Sequence, residues 1–347
     1  MSPIERKKVK KYKSRSKILM RFKILFIILI LFSSCAKEVT INKEAVLFEI
    51  KRGDTIFTIA KNLQKSKIIK NPKRFQIIAK LTRRDRLIKY GIYQINPQED
   101  YESLLEKFIS GKTYSVKITI NEGFNIFQIA ELLENKGLVK KEEFLSECKN
   151  NELTKRYGLP NGATLEGFLF PDTYYIPLNY NSKQIIEIFL NRFDSVVNNE
   201  MREKIKEKGL SLLKVIIMAS IVEKEAKLEE EKPIIAKVFY NRLKKGMLLQ
   251  ADPTLIYALI LNGTYDGNIR KKDFMLDSKY NTYKYYGLPI LPICNPGKNS
   301  ILAAIFPADV DYIYFVAKPD GSHYFSKSLE EHNRAVYIYQ ILPIKRR

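Results

Sequence analysis

Residues Leu212 to Ala226 place apolar side chains at Val215, Met218, Ile221 and Val222, the three-and-four spacing of one buried helical stripe. Glu225 follows Ile221 by four residues and Val222 by three, so it continues that stripe. Glu223 lies about 200° around the same helix, on the side of Ala219 and Ser220, and the two acids are not expected to pair. A carboxyl at the edge of an apolar face resists ionising, and one still protonated near neutral pH can act as a general acid. The plainer alternative is that both acids are solvated residues near a helix end.

Another pattern repeats. Phe48–Ala60 aligns with Ile118–Ala130 at a spacing of 70 residues, with matches at Ile50/Ile120, Gly53/Gly123, Ile56/Ile126, Phe57/Phe127, Ile59/Ile129, Ala60/Ala130 and Leu63/Leu133. Each copy reads as an alternating strand, a Gly turn and an amphipathic helix. Between them, Ile88–Ile95 reads as a strand and Tyr101–Ser110 as a helix closed by Gly111, while Lys141–Tyr157 predicts a helix closed by Gly158-Leu-Pro160. Farther on, Pro233 opens a helix over Ile234–Lys245 that stops at Gly246. Asp311–Ala317 is a strand, Gly321–Ser326 its hairpin partner, and Ser328–Tyr339 a last helix. The fold class is therefore α+β. The organisation is a basic tail over residues 1–17, a membrane anchor over 18–36, strand–helix units over 45–111 and 112–160, and a mixed α+β catalytic domain over 161–347. The first unit, through Gly53-Asp-Thr-Ile and Ile59-Ala60, resembles a LysM module, a family that binds N-acetylglucosamine glycans. Glycan contact and a purely scaffolding role both stay open for it.

Charge sharpens the picture. The 347 residues are 45% hydrophobic and 28% charged, as in a folded protein, with a formal net charge of +22. Residues 1–23 hold ten Lys/Arg against Glu5, a net +9, which leaves +13 for the remainder. Such an excess suits an acidic polymer or a membrane surface. No zinc spacing, RNA-binding aromatic signature or helix-turn-helix is present, so nucleic acid is not an expected partner. The cations precede the apolar run Ile24–Phe32, which places the N-terminus in the cytoplasm and the rest outside. Counted from Ile18 to Ala36, with Arg21 and Lys23 snorkelling, the segment reaches the roughly 17–25 residues that a span needs. Phe32-Ser-Ser-Cys35 also resembles a loose lipobox, which keeps a lipid anchor at Cys35 open as the alternative, with a cleaved signal peptide third. Cys148 and Cys294 read as isolated thiols, and no cofactor or metal site is expected.

The C-terminal loops Thr164–Tyr175, Leu249–Thr254, Tyr280–Tyr283, Gly287–Pro289 and Pro292–Gly297 are dense in Asn, Gln, Asp, Thr and Tyr. Together they suggest a polar cleft suited to carbohydrate, although each one alone matches ordinary turn chemistry. The ordered motifs Leu165-Glu-Gly-Phe-Leu-Phe-Pro-Asp-Thr-Tyr174, Ala219-Ser-Ile-Val-Glu-Lys-Glu-Ala226, Val238-Phe-Tyr-Asn-Arg-Leu243, Leu249-Gln-Ala-Asp-Pro-Thr254, Tyr280-Asn-Thr-Tyr283 and His323-Tyr-Phe with His332-Asn333 are similar to those of the MltG (YceG-like) family of endolytic murein transglycosylases. The resemblance runs from about residue 45 to the end. It implies a membrane-anchored enzyme that cuts peptidoglycan glycan strands internally, at the bond between N-acetylmuramic acid and N-acetylglucosamine, without water and leaving a 1,6-anhydro end. Peptidoglycan synthases become candidate partners.

The family motif implies that Glu225 is the catalytic acid, in agreement with its place on the helix. Ala226 stands where the family pattern also admits Thr, which removes a hydroxyl beside the acid. A single acid/base suffices for this reaction because the muramic C6 hydroxyl attacks within the same sugar, whereas a hydrolase usually needs two carboxylates. Glu223, Glu166 and Asp252 are candidates for orienting substrate or tuning Glu225, and Asn241, Gln250, Asn281, Thr282 and Tyr283 for contacting sugar. His323 and His332 are candidate bases or metal ligands, but without further ligands at suitable spacing structural hydrogen bonding is the preferred reading. The rivals are a non-catalytic murein-binding scaffold and a hydrolytic muramidase.

Overall fold

The computed structural model describes residues 44–342. The expected basic tail, the anchor over 18–36 and the lipobox at Cys35 lie outside the described residues. Among those described, no helix is long and apolar enough to cross a membrane. The fold is mixed α+β in two compact units, and residues 44–115 with Pro177–Asn179 form the first.

In that unit β1 (Val46–Ile50) pairs antiparallel with β2 (Gly91–Ile95), in a register running from Val46↔Ile95 to Ile50↔Gly91. Between the strands come helices α1 (Ile56–Lys65) and α2 (Pro72–Leu81), and α3 (Tyr101–Ser110) follows β2. Period-two alternation turns Phe48 and Ile50 inward, and Tyr93 and Ile95 meet them. Helix α1 starts at Thr55, whose side chain accepts from the Thr58 N–H, and it buries Ile56, Ile59, Ala60 and Leu63. Helix α2 was not expected from its periodicity. It owes its start to local chemistry, with Asn71 accepting from the Arg74 N–H and Pro72 in the first turn. The rings of Phe48, Phe75 and Tyr93 pack on Phe108 at centroid distances of 6.2, 6.4 and 4.9 Å.

Val116–Ile176 and residues 180–342 form the second unit. The second copy of the repeat opens it, with β3 (Ser115–Thr119) leading through a Gly123 turn to α4 (Ile126–Asn135), capped reciprocally by Asn125 and Gln128. Strand β3 pairs with β4 (Thr173–Pro177). The helix expected over Lys141–Tyr157 breaks into α5 (Lys141–Glu147) and α6 (Asn151–Lys155), because Asn150 leaves the helical conformation and caps the second piece through the Glu152 N–H.

Helices α7 (Ser182–Val196), α8 (Asn199–Glu207) and α9 (Leu212–Glu225) follow, then α10 (Lys232–Lys244), α11 (Asp252–Leu261) and α12 (Lys298–Ile305). The hairpin β5 (Tyr314–Ala317) and β6 (His323–Ser326) pairs antiparallel as expected and leads to α13 (Leu329–Val336). Helix α9 is the hub of this unit, packed by α8, α10, α11 and α12. The single stripe read from its sequence understates its burial, since every residue from Val215 to Val222 is buried. Ser220 is tolerated there because its hydroxyl donates to the Ile217 carbonyl and accepts from the Ile293 N–H.

Candidate active site

Helix α9 ends at Glu225 because Ala226 turns to an extended conformation, φ −79° and ψ 126°. The carboxyl of Glu225 then faces a cavity of about 320 Å³. From α10 come Phe239 and Arg242, three residues apart on one helix face. Leu249, Gln250 and Asp252 form another wall, Tyr283 a third, and Phe315 of β5 and His332 of α13 complete it. The aromatic rings supply faces on which a sugar can pack, and the polar groups surround the acid.

The electrostatics of Glu225 follow from these neighbours. Glu225 is partly buried, and that burial, reinforced by the charge of Asp252 and opposed by Arg242, pushes its carboxyl up to about 8. Its position as last residue of α9, at the negative end of the helix dipole, acts in the same direction. Glu225 therefore holds a proton at neutral pH.

The walls are held by hydrogen bonds among the lining residues and to the segments behind them. Arg242 donates from Nε to the Ile313 carbonyl at 2.7 Å and from Nη1 to the Leu249 carbonyl at 2.8 Å. Gln250 adopts a left-handed backbone, φ +50°, which a non-glycine residue keeps only where its surroundings impose it. Here its N–H donates to the Thr282 carbonyl, and the next N–H, of Ala251, donates to the Thr282 hydroxyl at 3.1 Å. Tyr283 is set by Asn281, whose side-chain oxygen accepts the Tyr283 N–H at 3.0 Å, and its hydroxyl bonds to Asp252.

The chain as a whole resembles known proteins. A sequence model of the YceG-like family matches residues 48–337. The chain belongs to that family. A Bacillus subtilis (strain 168) protein named endolytic murein transglycosylase is 35% identical over 317 residues, covering 86% of each chain. A protein of the same name from Streptococcus pneumoniae serotype 2 (strain D39) is 30% identical over 326 residues, 85% of this chain and 58% of that one. The crystal structure of a YceG-like protein from Listeria monocytogenes matches with a TM-score of 0.57 and 35% identity, over 84% of this chain and 99% of that chain.

In this YceG-like chain, five of the residues singled out from sequence meet in the cavity: Glu225, Gln250, Asp252, Tyr283 and His332. The others lie outside its lining. Asn241 donates to the Val310 and Tyr312 carbonyls, both at 2.9 Å, and so ties α10 to the approach of β5. Asn281 and Thr282 are buried and hold the walls as described. Glu223 lies on a different side of α9 from Glu225, as expected from the helical turn. Its carboxylate accepts from the Gly297 N–H at 2.9 Å and the Ser300 hydroxyl at 2.6 Å, and lies 3.5 Å from the ammonium of Lys232.

Glu166 is wholly buried and receives hydrogen bonds from the Ile126 N–H, the Tyr257 hydroxyl and the Asn295 amide. Burial outweighs those donors and pushes its carboxyl up to about 7. It joins the start of α4 to α11 and to the loop before α12. His323 pairs through Nδ1 with Glu231 at 2.6 Å, while His332 lines the cavity. Cys148 and Cys294 are free and buried.

Arg242 and Phe315 were missed from sequence. Arg242 follows Asn241 in the Asn-Arg-Leu motif, but an Arg on a helix reads as a solvated residue until the fold buries it.

Proposed function

We propose that the protein is an endolytic murein transglycosylase, with Glu225 as its single general acid and base. The observation that carries this reading is the Glu225 carboxyl at the end of α9, which lines an aromatic-walled cavity and whose burial raises its pKa. The substrate is a peptidoglycan glycan strand. Protonated Glu225 donates to the glycosidic oxygen between N-acetylmuramic acid and N-acetylglucosamine, and the bond breaks through an oxocarbenium-like state. The resulting carboxylate takes the proton from the muramic C6 hydroxyl as that oxygen closes on C1. The acid is regenerated and the product carries a 1,6-anhydro end. Arg242, held by backbone carbonyls near Glu225, favours the carboxylate once it forms, and Asp252 favours the acid, so the pair sets the balance between the two states.

Asp252, in the same cavity, favours one second reading: a hydrolase in which it serves as the second carboxylate. Its bond to the Tyr283 hydroxyl supports a positioning role instead. Digestion of purified glycan strands by the protein, followed by mass spectrometry, separates the cases. New anhydro ends are expected; reducing ends would identify a muramidase, and unchanged strands a binding protein.

We further read residues 18–36, preceded by eight cations, as an anchor that tethers the catalytic domain on the extracytoplasmic face of the cell membrane, near peptidoglycan synthases. The β1-α1-α2-β2 arrangement of the first unit supports a LysM-like role in holding glycan.

A further inference from the structure

In the cavity beside Glu225, most polar groups are already engaged by protein: the Tyr283 hydroxyl by Asp252, and Nε and Nη1 of Arg242 by carbonyls. His332 is different. Its ring lines the cavity, yet its Nδ1 is buried with no hydrogen-bond partner among the described residues. A buried polar nitrogen without a partner is uncommon in a native fold and calls for an explanation.

What holds the ring is stacking. It lies nearly parallel to Tyr314, with centroids 5.1 Å apart and planes at 22°, and the Arg242 guanidinium sits 5.1 Å from the Tyr314 centroid. The imidazole is thus fixed in place while its hydrogen-bonding capacity is unspent. Burial, and then the charge of Arg242, hold its pKa below the usual histidine value, so the ring is neutral at pH 7. A neutral imidazole offers one donor and one acceptor, which complements a sugar hydroxyl or an acetamido group.

We propose that His332 is a substrate-binding residue whose imidazole hydrogen-bonds a hydroxyl or N-acetyl group of the sugar seated against Glu225. This inference rests on the reading of the cavity as the glycan site.

Two variants of the full-length protein test it. His332→Phe keeps a ring against Tyr314 and removes both nitrogens, whereas His332→Gln keeps a donor and an acceptor. Cleavage of purified glycan strands gives KM and kcat, and thermal melting reports the fold. The Phe variant is expected to raise KM by roughly tenfold or more with kcat and melting temperature little changed. The Gln variant is expected to recover most of the affinity. A wild-type KM in the Phe variant, or equal impairment in both, overturns the proposal. If the Phe variant does not fold, His332→Leu is judged by the same criteria. Strand affinity is also measured by calorimetry. Binding without cleavage would sink the enzyme reading and leave this inference to be decided by the affinity ratio. A protein that binds no strand overturns both.

Discussion

The Glu225→Gln substitution tests the central physical claim through folding stability as well as through activity. In the unfolded chain the carboxyl titrates near its ordinary 4.5, and in the fold near 8. Because the folded value is raised, the native state binds the proton more tightly. The stability associated with it is fully present below about pH 4.5 and is lost as pH rises toward 8. Gln does not titrate and is nearly isosteric, and among the described residues no side-chain hydrogen bond of Glu225 is there to lose. The variant should therefore match the wild type near pH 4. Between 4.5 and 8 it should gain on it by up to about 1.4 kcal/mol per pH unit, a ceiling of about 3 kcal/mol at pH 7. Solvent reaching the cavity softens the penalty, so about 1–3 kcal/mol is expected at pH 7. Urea unfolding followed by circular dichroism at several pH values, with a common slope, reads the difference directly. The same variant should release no anhydro-muropeptides. A stability difference that stays flat from pH 4.5 to 8 would refute the reasoning, because it would mean that position 225 titrates alike in both states.

Removing the like charge with Asp252→Asn should lower the pKa of Glu225 and move the alkaline limb of activity, set near pH 8 in the wild type, to lower pH; pH–rate profiles of kcat/KM check the direction. Gly167→Ala should destabilise the protein by about 1–3 kcal/mol in thermal melts. Gly167 has φ +91°, and a Cβ there would come within 2.6 Å of Pro292 and 2.8 Å of Ile216. Glu166→Gln turns an amide toward the donors of Ile126, Tyr257 and Asn295 and should cost about 1–3 kcal/mol of stability. Because Glu166 lies outside the cavity, the pH–activity profile of that variant should keep its alkaline limb.

What sequence alone determined was local. The doubled strand–Gly–helix unit, the β5–β6 hairpin and the place of Glu225 on α9 were legible because periodicities of two and 3.6 residues and turn residues are written in neighbouring positions. Helix α2 and the other segments without one clean apolar stripe escaped that reading. Helix α11 did so because Leu255, Tyr257, Ala258 and Leu259 are all buried, which leaves no polar side to mark its period.

Tertiary structure decided which polar residues border the cavity and which hold its walls. Asn241, Asn281 and Thr282 carry the same chemistry as Gln250 and Tyr283, yet their hydrogen bonds are spent within the protein, on the Val310 and Tyr312 carbonyls for Asn241, the Phe274 and Leu276 carbonyls for Asn281, and the Ala251 N–H for Thr282. Likewise, two glutamates two residues apart differ only in what the fold brings to each. Glu223 meets the Gly297 N–H, the Ser300 hydroxyl and the Lys232 ammonium, and Glu225 meets an aromatic cavity and another carboxylate. Burial, partner and charge are properties of long-range contacts, so the proton on Glu225 is a consequence of the fold and not of the residue type.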